Sequence, residues 1–227
     1  MKEDLLRAMR EASEKERDLE ALTSDAPADP DGRWSPKDHL AHMAGTRERH
    51  AKVIEAVIAG TEVPPRTENL SDLIYESTKD LPAAEVIAQA RRAWDLMFSA
   101  VGSASEADLE QPNPHSPQRT LVDGSPGDHL GAHLMWVYLE SGDTAGAESI
   151  QRWARDLSIR TQSDARSRAV ADYNLACFYS RVGQPDEALP LLRAGIEGDP
   201  SLKEWSHQDP DLDPIRDDPR VKELLAT

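Results

Sequence analysis

Apolar residues recur at helical spacing through most of the chain, with charged residues between them. This pattern predicts one amphipathic helix from residue 2 to residue 23. A second helix is predicted to start after Ser35, which suits the capping position, with Pro36 in its first turn. Gly60 is expected to end that helix. The N-terminal part of the chain is therefore predicted to be α-helical.

Two further helices are predicted before residue 145. Residues 65–81 have too few periodic apolar positions for more than one short turn. A third helix is predicted from Pro82 to about Val101, followed by a proline-rich loop over residues 105–128. The fourth helix begins near Asp128. Four helices with one long connection predict an all-α four-helix bundle over residues 1–145.

The rest of the chain has a different pattern. Residues 146–162 are predicted to form a helical linker, and the unit at 163–227 resembles a tetratricopeptide repeat. The matching positions are Leu175, Ala176, Tyr179, Gly183, Ala188, Leu189 and Pro200, with Gly195 where a small residue is usual. Small residues at these positions would let two helices approach closely. One repeat cannot cover its own apolar face, so the resemblance implies that the linker and tail, a second subunit or a protein partner covers it.

Two histidines in the segment GDHLGAHLMWVY have the spacing of paired metal ligands. His129 and His133 are four residues apart, so both imidazoles would leave the same face of a helix. His42, in WSPKDHLAHMAG, is a candidate third ligand for a site with open positions. The alternative is that the pair is hydrogen-bonded on a half-buried face, and the spacing alone leaves both open.

Three segments in this order resemble the DinB-like superfamily of four-helix bundles, over about residues 3 to 140. They are WSPKDHLAHMAG, the stretch from NLSDLIYESTKDL to SEADL, and GDHLGAHLMWVY, and the last two are most similar to the ClbS/DfsB branch. The resemblance implies a divalent-metal site made by His42, His129 and His133, holding zinc, nickel or iron. His39, one turn before His42, is the alternative third ligand.

The resemblance also implies two reactions on a small-molecule electrophile. One is ring-opening hydrolysis, as in proteins that protect their producer from a reactive natural product, and the other is transfer of a low-molecular-weight thiol. A metal held by imidazoles can activate a water or a thiol. Asp128 is a candidate general base, although a helix-capping role is simpler. A substrate pocket is predicted to use aromatic residues that could equally belong to the core: Trp34, Trp94, Trp136 and Tyr138.

Composition narrows the possible partners. The formal net charge of the 227 residues is −16, and no lysine or arginine cluster interrupts it, so nucleic acid and anionic membranes are not expected partners. No apolar run is long enough to span a bilayer, and the charged N-terminus does not resemble a secretion signal. The one cysteine, Cys177, is expected to be a packed apolar residue. These features predict a cytoplasmic protein.

Three functions remain open from the sequence. The first is an enzyme whose bundle converts an electrophile. The second is a metal-free protein whose bundle sequesters an electrophile. The third is a scaffold whose repeat unit binds a protein partner. Loss of turnover in His133→Ala would favour the enzyme, and stoichiometric protection alone would favour sequestration.

Overall fold

A computed structural model describes residues 2–26, 31–122, 126–161 and 165–226. The chain forms two compact units, Met1–Asp123 and Gly124–Thr227. Among the described residues, the regular structure is helical apart from one two-stranded hairpin, which confirms the predicted all-α class. None of the described helices is long and apolar enough to cross a membrane. The predicted domain boundaries at residues 145 and 162 stay predictions.

The first unit is built on helices that cover one another's apolar faces. They are α1 (Lys2–Lys15), α2 (Arg17–Leu22), α3 (Pro36–Ala59), α4 (Leu70–Thr78), α5 (Ala83–Ser103) and α6 (Glu106–Leu109). Helix α3 packs along α5, α1 also contacts α5, and α2 contacts α3. The buried side chains include Met9, Ala12, Leu40, Ile54, Val86 and Val101. Helices are thus present at all three positions predicted before residue 104.

The ends of α3 follow the local signals in the sequence. The Ser35 hydroxyl accepts a hydrogen bond from the Asp38 backbone amide, and the Asp38 carboxylate accepts one from the Ser35 amide, which makes a capping box. At the other end Gly60 has φ +63°, a left-handed conformation that glycine adopts without strain. The predicted start and end of this helix are confirmed.

The predicted helix over residues 2–23 is divided at Glu16. The amide of Leu19 donates to the Glu16 carbonyl, three residues back, so the turn is tighter than an α-helical one. Glu16 is fully buried, although it lies in the charged sequence SEKERDLE. The prediction of one uninterrupted helix was wrong, because the apolar stripe of Met9, Ala12 and Leu19 continues in register across this tighter turn.

The predicted loop over residues 105–128 is also partly wrong. It contains α6 and an irregular antiparallel hairpin of β1 (Pro112–Asn113) and β2 (Ser116–Thr120). The Leu121 amide donates to the Gln111 carbonyl, 2.8 Å away, and extends this pairing beyond the strands. Prolines can occupy such short edge strands, which is why their number did not exclude a hairpin.

The second unit is a succession of helices. They are α7 (Pro126–Glu140), α8 (Thr144–Thr161), α9 (Ala165–Arg181), α10 (Pro185–Gly198), α11 (Ser201–Ser206), a 3₁₀ helix (Pro210–Ile215) and α12 (Pro219–Ala226). Helix α8 lies between α7 and α9, and α9 also contacts α10 and the 3₁₀ helix. The predicted fourth helix and the predicted linker helix are thus present as α7 and α8.

The α9–α10 hairpin has the close approach that the small residues predict. Gly183, with φ +71°, turns the chain between the two helices. A Cβ at Gly195 would lie 3.1 Å from the Ala169 carbonyl oxygen and 3.2 Å from the Tyr173 Cβ. Cys177 is buried in this hairpin, and burial raises the pKa of its thiol far above the usual range. This environment fits the predicted packing role of the cysteine.

Helix α7 also packs closely on α8, through Gly127 and Gly131. A Cβ at Gly131 would lie 2.7 Å from the Ala154 Cβ, and one at Gly127 would lie 2.9 Å from a Leu157 methyl carbon. The Gln151 side-chain amide donates to the Gly131 carbonyl oxygen at 2.9 Å. These contacts fix the face of α7 that lies roughly opposite the histidine pair, because positions two residues apart on a helix are rotated by about 160° from each other.

Gly131→Ala is expected to lower the free energy of unfolding by about 1 to 3 kcal/mol, because the added methyl group forces α7 and α8 apart. Chemical denaturation followed by circular dichroism measures the change. Gly102→Ala is the control, since a Cβ at Gly102 in α5 meets no atom within 4 Å. Alanine is the better helix former, so this control should gain stability. Equal losses in both variants would contradict the close α7–α8 packing.

Candidate metal centre

Helix α7 brings the rings of His129 and His133 together. Their Nε2 atoms are 2.9 Å apart, and the ring centroids are 4.6 Å apart at an interplanar angle of 71°. His129 is exposed and His133 is half-buried. The predicted arrangement of two imidazoles on one face of a helix is therefore present.

The distance between these two nitrogens fits a shared metal. Two nitrogens bound to one zinc at about 2.0 to 2.1 Å are about 2.8 to 3.4 Å apart at angles from about 90° to 109°. The same distance fits a hydrogen bond in which one neutral ring donates and the other accepts. The pair alone is thus compatible with both interpretations that the sequence left open.

Asp128 anchors the start of α7. Its Oδ1 accepts a hydrogen bond from the Ser158 hydroxyl of α8 at 2.6 Å, and Ser158 is fully buried. The aspartate adjacent to His129 therefore links the first turn of the histidine helix to its neighbour. A role for Asp128 in proton transfer stays a prediction.

His42 lies in the first two turns of α3, in the first unit. The Trp34 ring lies beside it, with centroids 5.2 Å apart, and also beside His39, with centroids 5.5 Å apart. Burial lowers the pKa of His42, which favours the neutral imidazole that can bind a metal. The first unit thus offers one candidate metal ligand, His42, and the second unit offers the pair His129 and His133.

A model of the DinB superfamily matches residues 2–139, about three fifths of the chain. The chain belongs to the DinB superfamily. The match contains all three candidate histidines, and DinB-like proteins often bind metals. Searches of curated proteins and of solved structures gave no significant match.

His39, the alternative third ligand, also lies within this DinB segment. His39 is 6% exposed, and burial lowers its pKa to about 4, so its ring is neutral at pH 7. The neighbouring Asp38 carboxylate opposes that shift. The choice between His42 and His39 as the third ligand stays a prediction.

The four predicted pocket aromatics have different surroundings. Trp34 lies beside His42, as described above. Trp94 is 7% exposed and belongs to the core of the first unit, where its ring stacks on Phe98. In the second unit, Trp136 contacts Arg181, and Tyr138 lies beside Gly146 at the turn between α7 and α8. A shared pocket of these residues stays a prediction.

A cavity of about 300 Å³ lies in the first unit, between α3 and α4. Small residues on α3, such as Ala41 and Gly45, leave this space, and Ile74 of α4 borders it. Glu48 and Lys52 form an ion pair at its edge. None of the predicted site residues lines the cavity, so it is separate from the predicted pocket.

Sequence reasoning missed a buried ion pair in the first unit. Arg47 donates to both carboxylate oxygens of Glu16, and its guanidinium carbon lies 3.8 Å from the centre of the Trp94 ring. The Trp94 indole nitrogen also donates to Glu16, at 3.0 Å. Burial raises the pKa of Glu16, while Arg47 and Trp94 act in the opposite direction.

A signal for this pair was present in the sequence. Glu16 continues the helical stripe of Met9, Ala12 and Leu19, all of which are buried. A charged residue on an apolar stripe indicates a buried partner. The identity of that partner, 31 residues away, was not visible in the pattern.

Proposed function

We propose that this DinB superfamily protein holds a divalent transition metal at His42, His129 and His133 and converts a reactive small-molecule electrophile. The reaction is ring-opening hydrolysis or transfer of a low-molecular-weight thiol. The observation that carries the proposal is the 2.9 Å separation of the His129 and His133 Nε2 atoms, inside a segment that matches the superfamily.

A bound divalent metal would supply an acidified water or thiol near neutral pH. The protein's own residues prepare that site. Burial keeps His42 in its neutral form, and Trp34 covers one side of its ring. On α7, the contact of Asp128 with Ser158 holds the turn from which His129 projects. Imidazole ligands suit zinc, nickel and iron, so the donor set does not choose among these metals.

The finer assignments belong to the same proposal. Similarity to the ClbS/DfsB branch supports a role in self-resistance or natural-product biosynthesis, in the cytoplasm. The helical hairpin over residues 165–198 is proposed to be a tetratricopeptide-like unit that docks a protein partner or a second subunit. The close approach at Gly195 supports that likeness in the hairpin itself.

Turnover distinguishes this function from the alternatives. We expect the native protein to consume more than one equivalent of a strained-ring electrophile, such as an epoxide or an activated cyclopropane, in the presence of zinc, with or without glutathione. His133→Ala should lower the rate at least about 100-fold, because loss of even an outer partner of a metal ligand costs 10- to 100-fold. Product formation is followed by mass spectrometry.

His207→Ala is the control, because this exposed histidine lies in the tail and outside the candidate group. Protection that stops at one equivalent and survives His133→Ala would favour a metal-free sequestering protein instead. The scaffold would be favoured if the full-length chain showed no turnover and residues 163–227 bound a defined protein partner.

A further inference from the structure

The face of α7 that carries the histidine pair also carries Trp136. Positions 129, 133 and 136 are separated by four and three residues, so their side chains form one stripe along the helix. Trp136 therefore lies one turn beyond His133. A group that holds the Trp136 ring also constrains the rotation of α7 about its axis.

Arg181, at the end of α9, holds this ring. Its guanidinium carbon lies 4.0 Å from the centre of the Trp136 ring, a cation–π contact that bypasses α8. The same guanidinium donates to the Asp211 carboxylate, which lies in the 3₁₀ helix. The two charged side chains are 25% and 28% exposed, so solvent screens the pair only in part.

Asp211 is itself fixed by a buried carboxylate. The Asp211 amide donates to the Asp209 side chain at 2.9 Å, and Asp209 is only 6% exposed. The other oxygen of Asp209 accepts from the Tyr173 hydroxyl at 2.8 Å and from the Trp205 indole at 3.1 Å. The 3₁₀ helix is thus tied to α9, and the position of the Asp211 carboxylate follows from that.

We infer that Arg181 and Asp211 are positioning residues for the metal-binding face of α7. Both lie beyond residue 139, where the match to the superfamily ends, so a segment outside the DinB match would help to orient the His129 and His133 rings. The inference rests on the proposed metal site. Glycine contacts with α8 fix one face of α7, and the Arg181 contact fixes the face that carries the histidine stripe.

Zinc affinity of the full chain tests this inference. Asp211→Asn should weaken zinc binding about 3- to 10-fold. This loss is smaller than the one caused by removing a residue that contacts a metal ligand directly. Asp172→Asn is the matched control, because Asp172 of α9 pairs with Arg155 of α8. The side chains of this pair are about as exposed as those of Arg181 and Asp211, and none of the described contacts joins the pair to α7. Competition with a chelator measures the affinity, and thermal unfolding is recorded for each variant.

A second variant and a second readout separate positioning from general stability. Arg181→Lys keeps the charge that Asp211 needs but loses the planar stack on Trp136, so it should also weaken zinc binding. The visible absorption spectrum of bound cobalt(II) should change in Asp211→Asn and in Arg181→Lys. In Asp172→Asn it should remain the same as in the native protein. Such a change reports ligand geometry, which a loss of stability alone leaves unaltered.

Two results would overturn the inference, and they differ. If the native chain binds zinc and all three variants bind it with native affinity and native cobalt spectra, the positioning role is wrong while the metal site stands. If the native chain binds no metal at all, the proposed function and the positioning role fall together.

Discussion

Glu16→Ala is expected to lower the free energy of unfolding by about 3 to 5 kcal/mol, the cost of removing one partner of a buried ion pair. The substitution leaves the Arg47 guanidinium, whose side chain is 11% exposed, without its carboxylate. It also removes the acceptor of the Trp94 indole N–H. Urea denaturation followed by tryptophan fluorescence measures the loss, and Trp94 itself should report the change in its surroundings.

Glu20→Ala is the control for this prediction. It makes the same change in charge one turn further along, but its partner Arg91 is 68% exposed, so solvent already screens that pair. Stability close to that of the native protein is expected for this control. If Glu16→Ala were as stable as Glu20→Ala, the buried pair of Glu16 and Arg47 would not stabilise the first unit as the account requires.

His133→Ala is expected to weaken zinc binding at least about 100-fold, because it removes one of two nitrogens that lie 2.9 Å apart. His133 is half-buried, so the helical circular dichroism of the protein should be retained. Zinc titration against a competing chelator measures the affinity. His207→Ala, which alters an exposed tail histidine, should bind zinc as the native protein does.

An unchanged zinc affinity in His133→Ala would show that the short contact between the two rings is a hydrogen bond rather than a pair of ligands. In that case the same variant should lose stability instead, since the bond between the rings is broken. The two outcomes therefore separate the interpretations that the spacing of His129 and His133 leaves open.

The features that the sequence predicts correctly depend on neighbouring residues. Ser35, Pro36 and Gly60 act within one turn of the helix ends they define, and the His129–His133 pair follows from helical spacing alone. His42 has no local signal of this kind, and its role as the third ligand stays a prediction.

The features that the sequence does not predict depend on distant partners. The apolar stripe around Glu16 indicates a buried partner, but no local pattern identifies it as Arg47, 31 residues later. Trp136 and Arg181 are likewise brought together by the packing of α7, α8 and α9. The hairpin of β1 and β2 was missed because its prolines also suit a loop.

The metal content of the purified protein tests the central claim most directly. The protein would be prepared without chelator and without a histidine tag, alongside the triple variant His42→Ala, His129→Ala and His133→Ala. Elemental analysis should find about one transition metal per native chain and none in the folded triple variant. A native protein that contains no metal and takes up neither zinc nor nickel would contradict the account.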